Sequence, residues 1–303
     1  MWIFLFKIFD CHCDTVTKAM WSNQNIYSNE LHIDIKKLQN FEKAIQVFAI
    51  WLDTPYIENA YENTLKAVDF FDSQIDEYKE YISKNTDDDK IGAILSVEGG
   101  EAIEGSIEKL RVLYEKGIKL MTLTWNNKNE IGNGALSGIE DGLTDFGKSV
   151  VKEMNNLDML IDVSHLNEKG FWDVYNISGK PFIATHSNSY TICPHPRNLN
   201  DRQLKAMAET NSAVGINLYP VFVDGKRGAL DNIIRHINYV MEFVGEKNIG
   251  VGCDFDGISV CPENIDNVTK LYILYDRVEE VWGKDLAENI FYNNMYSFFK
   301  DKI

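Results

Sequence analysis

Residues 8–15 read Ile-Phe-Asp-Cys-His-Cys-Asp-Thr. An apolar run from Trp2 to Phe9 leads into this stretch, which then turns polar. That is the pattern of a buried strand ending at a polar rim. Successive side chains of a strand face opposite ways. Alternation therefore puts His12 and Asp14 on one face and Cys11 and Cys13 on the other. A neutral imidazole beside a carboxylate is half of a divalent metal site. An isolated His-x-Asp is more commonly a buried hydrogen-bonded pair, so the remaining strands decide between the two readings.

Seven further short apolar runs follow, at residues 44–51, 91–97, 118–124, 160–164, 181–185, 213–218 and 249–253. Most are continuous rather than alternating, as in parallel strands covered on both faces. Amphipathic stretches separate them. Residues 56–83 carry apolar side chains at helical spacing, and residues 106–116 end before Gly117, a C-cap position. Thr144 is placed to cap a helix that turns Phe146, Val150, Val151, Met154 and Leu157 to one side. Further helices are predicted over 166–178, 201–210, 230–245, 268–282 and 285–300. Eight strands alternating with helices predict a (β/α)8 TIM-type barrel, one domain over 1–303 with helices at its C-terminal end. A doubly wound sheet would bring a Gly-rich phosphate loop after its first strand, and none is present. Residues 22–31 and 126–142 are irregular and lie on the strand-exit side, where loops cover an active-site mouth. The run Asp87-Asp88-Asp89 reads as a solvated loop tip.

Composition narrows the partners. The formal net charge is −16 and the isoelectric point near 4.8, which disfavours nucleic acid because such a surface repels phosphate backbones. The five cysteines, at 11, 13, 193, 253 and 261, form no Cys-x-x-Cys pair and are odd in number. A disulfide framework or zinc knuckle is not expected, and a reducing cytoplasm fits better. Lys7 interrupts the N-terminal apolar run and no cleavage site follows it, so a signal peptide is not expected. No stretch approaches the ~20 apolar residues of a membrane span, and the terminal Phe-Phe-Lys-Asp-Lys-Ile is not an anchor tail.

The other strands also end in metal-capable residues. Glu98 follows the third strand, His165 the fifth, His186 the sixth, and Asp254 and Asp256 the eighth. Any one could be a helix cap or a satisfied core residue. Yet three of the six histidines join Asp14, Glu98 and Asp254 at the C-terminal rim of the predicted barrel, where such barrels carry their chemistry. Three imidazoles and at least two carboxylates exceed the three protein ligands of one catalytic zinc. They suit two ions sharing a carboxylate.

The chain resembles the renal (membrane) dipeptidase family. The resemblance rests on Asp-Cys-His-Cys-Asp at 10–14, Glu-Gly-Gly at 98–100, Leu-Thr-Asp-Phe-Gly at 143–147 and Ile-Asp-Val-Ser-His at 161–165. Thr-His-Ser at 185–187, Pro-Arg-Asn at 196–198 and Gly-Cys-Asp-Phe-Asp-Gly at 252–257 continue it in order along nearly the whole chain. It implies two zinc ions, one held by His12 and Asp14 and the other by His165 and His186, with Glu98 as the bridge. It further implies that Arg197 grips the substrate's terminal carboxylate and that Asp254 is the catalytic acid–base beside the bridged pair. Tolerance of a D-residue at the C-terminal position and a homodimer are also implied. Asp256 is a weaker candidate for the acid, and loop capping suits it better.

One departure stands out. Where animal members have a His that contacts the scissile carbonyl, this chain has Trp125 and then Asn126. An indole N–H can donate one hydrogen bond and an amide can donate too, so both are candidate substrate contacts. Polarisation of the carbonyl would then rest more on the zinc. His195, two residues before Arg197, is a lesser candidate at the mouth, and His32 and His236 read as structural or exposed. The expected activity is hydrolysis of dipeptides with a free C-terminal carboxylate, without nucleic-acid or membrane partners. Another metal-dependent barrel hydrolase, such as a deaminase or a hydrolase of acyl-amino acids or lactones, could share the ligands. A non-catalytic metal-binding scaffold would be expected to have lost at least one of them.

Overall fold

In the computed structural model, residues 4–300 are described. Trp2 and the last residues of the tail lie outside them. The strands are β1 Phe4–Cys13, β2 Phe41–Trp51, β3 Ile82–Ser83, β4 Ile91–Glu98, β5 Leu120–Thr122, β6 Leu160–Asp162, β7 Ile183–Ala184, β8 Ala213–Ile216 and β9 Ile249–Val251. Every pairing is parallel, and β1 pairs with both β2 and β9. Because β2 also pairs with β4, eight strands close into a ring, while β3 adds to β4 from outside. The (β/α)8 barrel expected from the alternation of strands and helices is the observed fold.

The extra strand corrects one expectation. The helix predicted over 56–83 begins as a 3₁₀ turn, Thr54–Asn59, continues as an α-helix over Ala60–Glu77, and stops there. Its buried face, Ala60, Thr64, Ala67, Val68, Phe71 and Ile75, is complete by Ile75. The chain then turns, and Ile82 is buried beside Ile91 instead. The helix predicted over 285–300 is likewise divided, by a π-helical turn at Asn289–Asn293.

Two apolar clusters follow from strand alternation. One fills the space between barrel and helices. The other fills the lumen with Phe9, Ile45, Val47, Ile94, Leu120, Leu160, Ile183 and Ala213. Tyr292, Met295 and Phe299 of the C-terminal helices join this second cluster and close its floor. Phe299 packs against Phe9 at 4.9 Å between ring centroids.

The alternation read from residues 8–15 fails at one point. Asp10 pairs with Gln46 but Cys13 pairs with Phe48, three residues along β1 against two along β2. This irregularity shifts the parity of the strand, as a bulge does. Cys11 packs in the lumen with Phe9, whereas Cys13 packs in the outer cluster with Ile8. The two thiols therefore do not share a face. The shift is what lets His12 follow Cys11 and still face the mouth of the barrel.

Phe299 tests the floor. Phe299→Ala should cost about 3–5 kcal/mol of unfolding free energy, the range for a buried Phe truncated to Ala. Metal content should be unchanged, because the floor is at the opposite end of the lumen from the rim. Chemical denaturation with elemental analysis checks both, and a loss below about 1 kcal/mol would mean that Phe299 does not seal the floor.

Candidate metal centre

The strand exits deliver the side chains in different ways. Glu98 is the last residue of β4. Asp14 stands at the N-cap of the helix Thr15–Trp21 but makes no side-chain cap hydrogen bond, which leaves its carboxylate for the mouth. His165 and Asp254 follow β6 and β9 with φ of +66° and +61°. Non-glycine residues seldom adopt this left-handed backbone, and they cluster at functional sites. Gly257 completes the corner. A Cβ there would stand 2.2 Å from Asp14 Oδ2 and 2.4 Å from Asp254 Oδ1, so only glycine lets both carboxylates approach.

Glu98 lies at the middle of the group. Its Oε1 is 3.0 Å from His165 Nε2 and 3.4 Å from His186 Nε2. Its Oε2 is 3.6 Å from His12 Nε2, which is 3.7 Å from Asp14 Oδ1. One carboxylate thus turns each oxygen to a different set of ligand atoms. The sets are His12, Asp14 and Glu98 on one side and Glu98, His165 and His186 on the other. His12, His186 and Asp254 form a third group across them, and within each group the ligand atoms lie within 4.8 Å of one another. All six residues are buried. His12 Nε2, His186 Nε2 and Asp14 Oδ1 have no hydrogen-bond partner. Buried polar atoms without partners are costly. Carboxylate oxygens and imidazole nitrogens that converge in this way, several without a hydrogen-bond partner, suit a cation, and two ligand sets sharing one carboxylate fit two divalent ions.

The imidazoles are oriented from behind. His186 Nδ1 is 2.8 Å from Thr185 Oγ1, and His165 Nδ1 is 2.9 Å from Asn126 Oδ1. Both contacts leave Nε2 for the centre. Asn126 was expected to donate to substrate. Its oxygen is engaged with His165, which leaves the amide N–H groups to donate, and the residue lines the cavity over the centre. Trp125 lines the same cavity, 5.2 Å from Trp51 and 6.3 Å from His165 between ring centroids. The cavity has a volume of about 480 Å³, with Asp14, Glu98, His165 and Asp254 among its lining and tryptophans on its walls.

Crowding of charge shifts the protonation of these groups. Burial lowers His165 to about 4, helped by the Arg197 cation. Burial and the neighbouring His12 hold His186 well below the usual imidazole range. Both are therefore neutral, as ligands must be. Burial also disfavours a charged His12, but Glu98 and Asp14 outweigh it and raise His12 well above its ordinary value. Burial opposes ionisation of Glu98 as well, yet His12 and His165 keep it well below the carboxylate range. Asp254 is raised to about 7, chiefly by burial and with Asp14 and Glu98 adding to it. Asn217 Nδ2 donates to Asp254 Oδ2 at 2.9 Å.

Arg197 is buried, and burial lowers its guanidinium to about 10. It stacks over Phe222 at 5.3 Å, and Nη2 donates to the His186 carbonyl at 3.4 Å. Its Nε has no partner. Among the described residues no carboxylate lies within ion-pair distance of it. It lines a recess of about 470 Å³ with Tyr190, Pro196 and Asn198, rather than the metal cavity. Phe222, beneath its guanidinium, lines the metal cavity. His195 Nδ1 accepts from the Arg197 backbone N–H at 3.2 Å, and its ring packs on Phe222.

Asp256 braces a loop, accepting from Thr15 Oγ1 at 2.5 Å and from the His32 backbone N–H at 2.7 Å. His236 holds Ser189 and Val223 together and is buried, and His32 Nδ1 accepts from the Asp256 backbone N–H. These are structural uses. Sequence reasoning passed over Asn217, Thr122, Asp162 and Thr185 as individual residues. Their signal was present, since each is a polar side chain at the exit end of an otherwise apolar strand.

Comparison with known proteins gives the family and the fold. A family model described as membrane dipeptidase, peptidase family M19, matches residues 4–301. A Klebsiella pneumoniae protein, described as an uncharacterised protein in the pqqA 5' region, is 37% identical over 201 residues, 63% of this chain and 74% of that one. A solved dipeptidase AC, a metallopeptidase of family M19, superposes with a TM-score of 0.90 at 25% identity, covering 99% of both chains. A Rhodobacter sphaeroides metallopeptidase liganded with a phosphinate mimic of L-Ala-D-Ala superposes at 0.87 with 24% identity, over 99% of this chain and 100% of that one.

The shared carboxylate makes a distinctive demand on metal binding. Glu98→Ala should weaken both ions because each ligand set includes it, whereas His186→Ala should mainly empty one. Elemental analysis of protein loaded with zinc and desalted would show stoichiometry falling from two in both variants. A single tight ion that is indifferent to Glu98→Ala would exclude the shared bridge.

Proposed function

The chain belongs to the membrane dipeptidase family, peptidase family M19, and is a metal-dependent dipeptidase; from that premise we propose that it uses two zinc ions to hydrolyse dipeptides with a free C-terminal carboxylate, including those with a D-residue at that end. The observation that carries the two-ion reading is Glu98, whose oxygens face two ligand sets. In this reading His12 and Asp14 hold one ion, His165 and His186 the other, and Glu98 joins them. When bound, zinc at this position would polarise the scissile carbonyl and acidify the attacking water. The phosphinate mimic of L-Ala-D-Ala in the similarly folded Rhodobacter protein supports the stereochemical part of the proposal.

The chain's own residues supply the rest. Asp254, raised to about 7, is matched to taking a proton from water and returning it to the leaving amine near neutral pH. Asn217 fixes its orientation through Oδ2. Arg197 pairs with the substrate's carboxylate, a role supported by its burial, its unpartnered Nε and the lack of an ion-pair partner among the described residues. A guanidinium suits that task because its donors form a planar fork. Trp125, on the cavity wall beside His165, contacts the substrate. Asn126 contributes mainly through His165.

The proposal further places the protein in the cytoplasm as a homodimer. Five free cysteines suit a reducing compartment. Among the described residues no helix is long and apolar enough to cross a membrane. Light scattering would test the dimer.

Two substitutions test the chemistry. Arg197→Lys keeps the charge and loses the fork, and should cost roughly 2–4 kcal/mol in kcat/KM, the scale of a broken buried charge pair. Amidating the substrate's C-terminus should cost wild type a similar amount and the variant much less. Equal cleavage of free and amidated dipeptides by wild type would remove Arg197 from carboxylate recognition. Asp254→Asn keeps shape and removes basicity, so turnover of L-Ala-D-Ala should fall about 10²–10⁴-fold with zinc content near normal. Full activity would exclude Asp254 as the proton carrier, and loss of an ion together with activity would make it a ligand. If the zinc-loaded wild type hydrolysed no dipeptide at all, the substrate class itself would be wrong.

A further inference from the structure

Asp162, the last residue of β6, is fully buried, touches none of the candidate ligands and does not line the cavity. Four donors nevertheless converge on it. Its Oδ1 accepts from the backbone N–H of Ser164 at 2.8 Å and of Thr185 at 3.0 Å. Its Oδ2 accepts from the hydroxyls of Thr122 and Thr185, each at 2.6 Å. The exits of β5, β6 and β7 are thus gathered on one carboxylate. Such a set of donors suits an ionised, acceptor-only group.

The consequence falls on His186. The Thr185 hydroxyl has one proton and lies 2.6 Å from Asp162 and 2.8 Å from His186 Nδ1. Because the carboxylate can only accept, that proton points to Asp162. Thr185 Oγ1 then presents a lone pair to His186, and two heteroatoms at that distance need a proton between them. It must be carried by Nδ1. Ser164 Oγ accepts from the His186 backbone N–H at 3.1 Å and lies 3.3 Å from Thr185 Oγ1, so its own hydrogen can meet the remaining lone pair of Thr185. The Thr185 backbone is fixed as well, since a Cβ on Gly252 would stand 1.7 Å from its carbonyl oxygen. His186 is fully buried.

We propose that Asp162 is a positioning residue which, acting through the Thr185 hydroxyl, holds His186 in its Nδ1–H tautomer and so keeps Nε2 open to a metal ion. The tautomer follows from the hydrogen bonds alone, while the effect on the ion rests on the two-zinc reading. Asp162→Asn should reverse the arrangement. The two backbone N–H groups cannot turn, so the amide oxygen must stay facing them and the amide nitrogen must face the hydroxyls. With a donor now opposite it, Thr185 turns its proton toward His186 Nδ1, and the imidazole proton moves to Nε2, where it blocks the ligand position.

The test is ¹⁵N NMR of the histidine side chains in metal-free protein, with zinc affinity from chelator competition on the same samples. Wild type, Asp162→Asn, Thr185→Ser and Thr185→Val are compared after denaturation curves establish folding. Wild type and Thr185→Ser should show His186 protonated on Nδ1 and bind both ions alike. Asp162→Asn should show protonation on Nε2, with one of the two sites weakened about 10–100-fold, the usual effect of losing the partner behind a histidine ligand. Thr185→Val should weaken the same site, and it carries the affinity test if Asp162→Asn does not fold. A brace that only held the strands together would leave the tautomer unchanged and would not distinguish serine from valine at position 185. An unchanged tautomer in Asp162→Asn, or unchanged zinc affinity in both Asp162→Asn and Thr185→Val, would overturn the proposal. If wild type itself bound no zinc, the two-zinc reading would fail, while the tautomer comparison would still decide the role of Asp162.

Discussion

A buried carboxylate among three imidazoles is the constraint from which the upper half of this barrel follows. Glu98 is taken out of water with His12, His165 and His186 around it and Asp14 and Asp254 close by. Hydrogen bonds alone do not satisfy these groups, since three of their ligand atoms have no partner. Desolvated charge is tolerated only when paired or bound to a cation. The protein fixes three of these groups from behind and leaves their fronts free. Thr185 holds His186, Asn126 holds His165, and Asn217 holds Asp254. The electrostatic cost of gathering them sets the assembly apart from an ordinary polar core and is what the proposed pair of cations would relieve.

The lower half of the barrel supplies the rigidity. Phe9, Ile94, Leu120, Leu160 and Ile183 pack in the lumen on the same strands whose exits carry the polar groups. Each strand is thus apolar below and polar above, and the division falls at nearly the same level around the ring. Close packing below transmits position to the rim, so a side chain there is located by several strands at once. The bulge in β1 and the left-handed residues His165 and Asp254 are local departures that such a scaffold can hold.

Much of this was legible in the sequence. The apolar runs mark the strands because both faces of each are covered, and the ligand residues stand out because they break those runs at one end. Four features were not legible, each for a physical reason. The parity of β1 depends on pairing with β2, and no local pattern at residues 8–15 encodes a bulge. The end of the helix at Glu77 is set by where its buried face is complete, not by a Gly or Pro. The engagement of Asn126 with His165 joins residues far apart in the chain. Asp162 and Asn217 were visible as polar residues in apolar strands, but their partners exist only once the ring has closed.

Charge on the scale of the whole chain gives Arg197 its significance. With a net charge of −16 the surface repels anions, and over distances beyond about 8–10 Å salt screens what attraction a single cation could offer. Recognition of a carboxylate must then be local, and it needs a cation that the protein's own acids have not neutralised. Asp254 and Glu98 are near enough to stabilise the guanidinium electrostatically. They are nevertheless held apart from it, by Asn217 in one case and by the imidazoles in the other. Arg197 is supported by neutral partners, the Phe222 ring and the His186 carbonyl. Those contacts fix its position without cancelling its charge, which is the condition that the proposed contact with a substrate carboxylate requires.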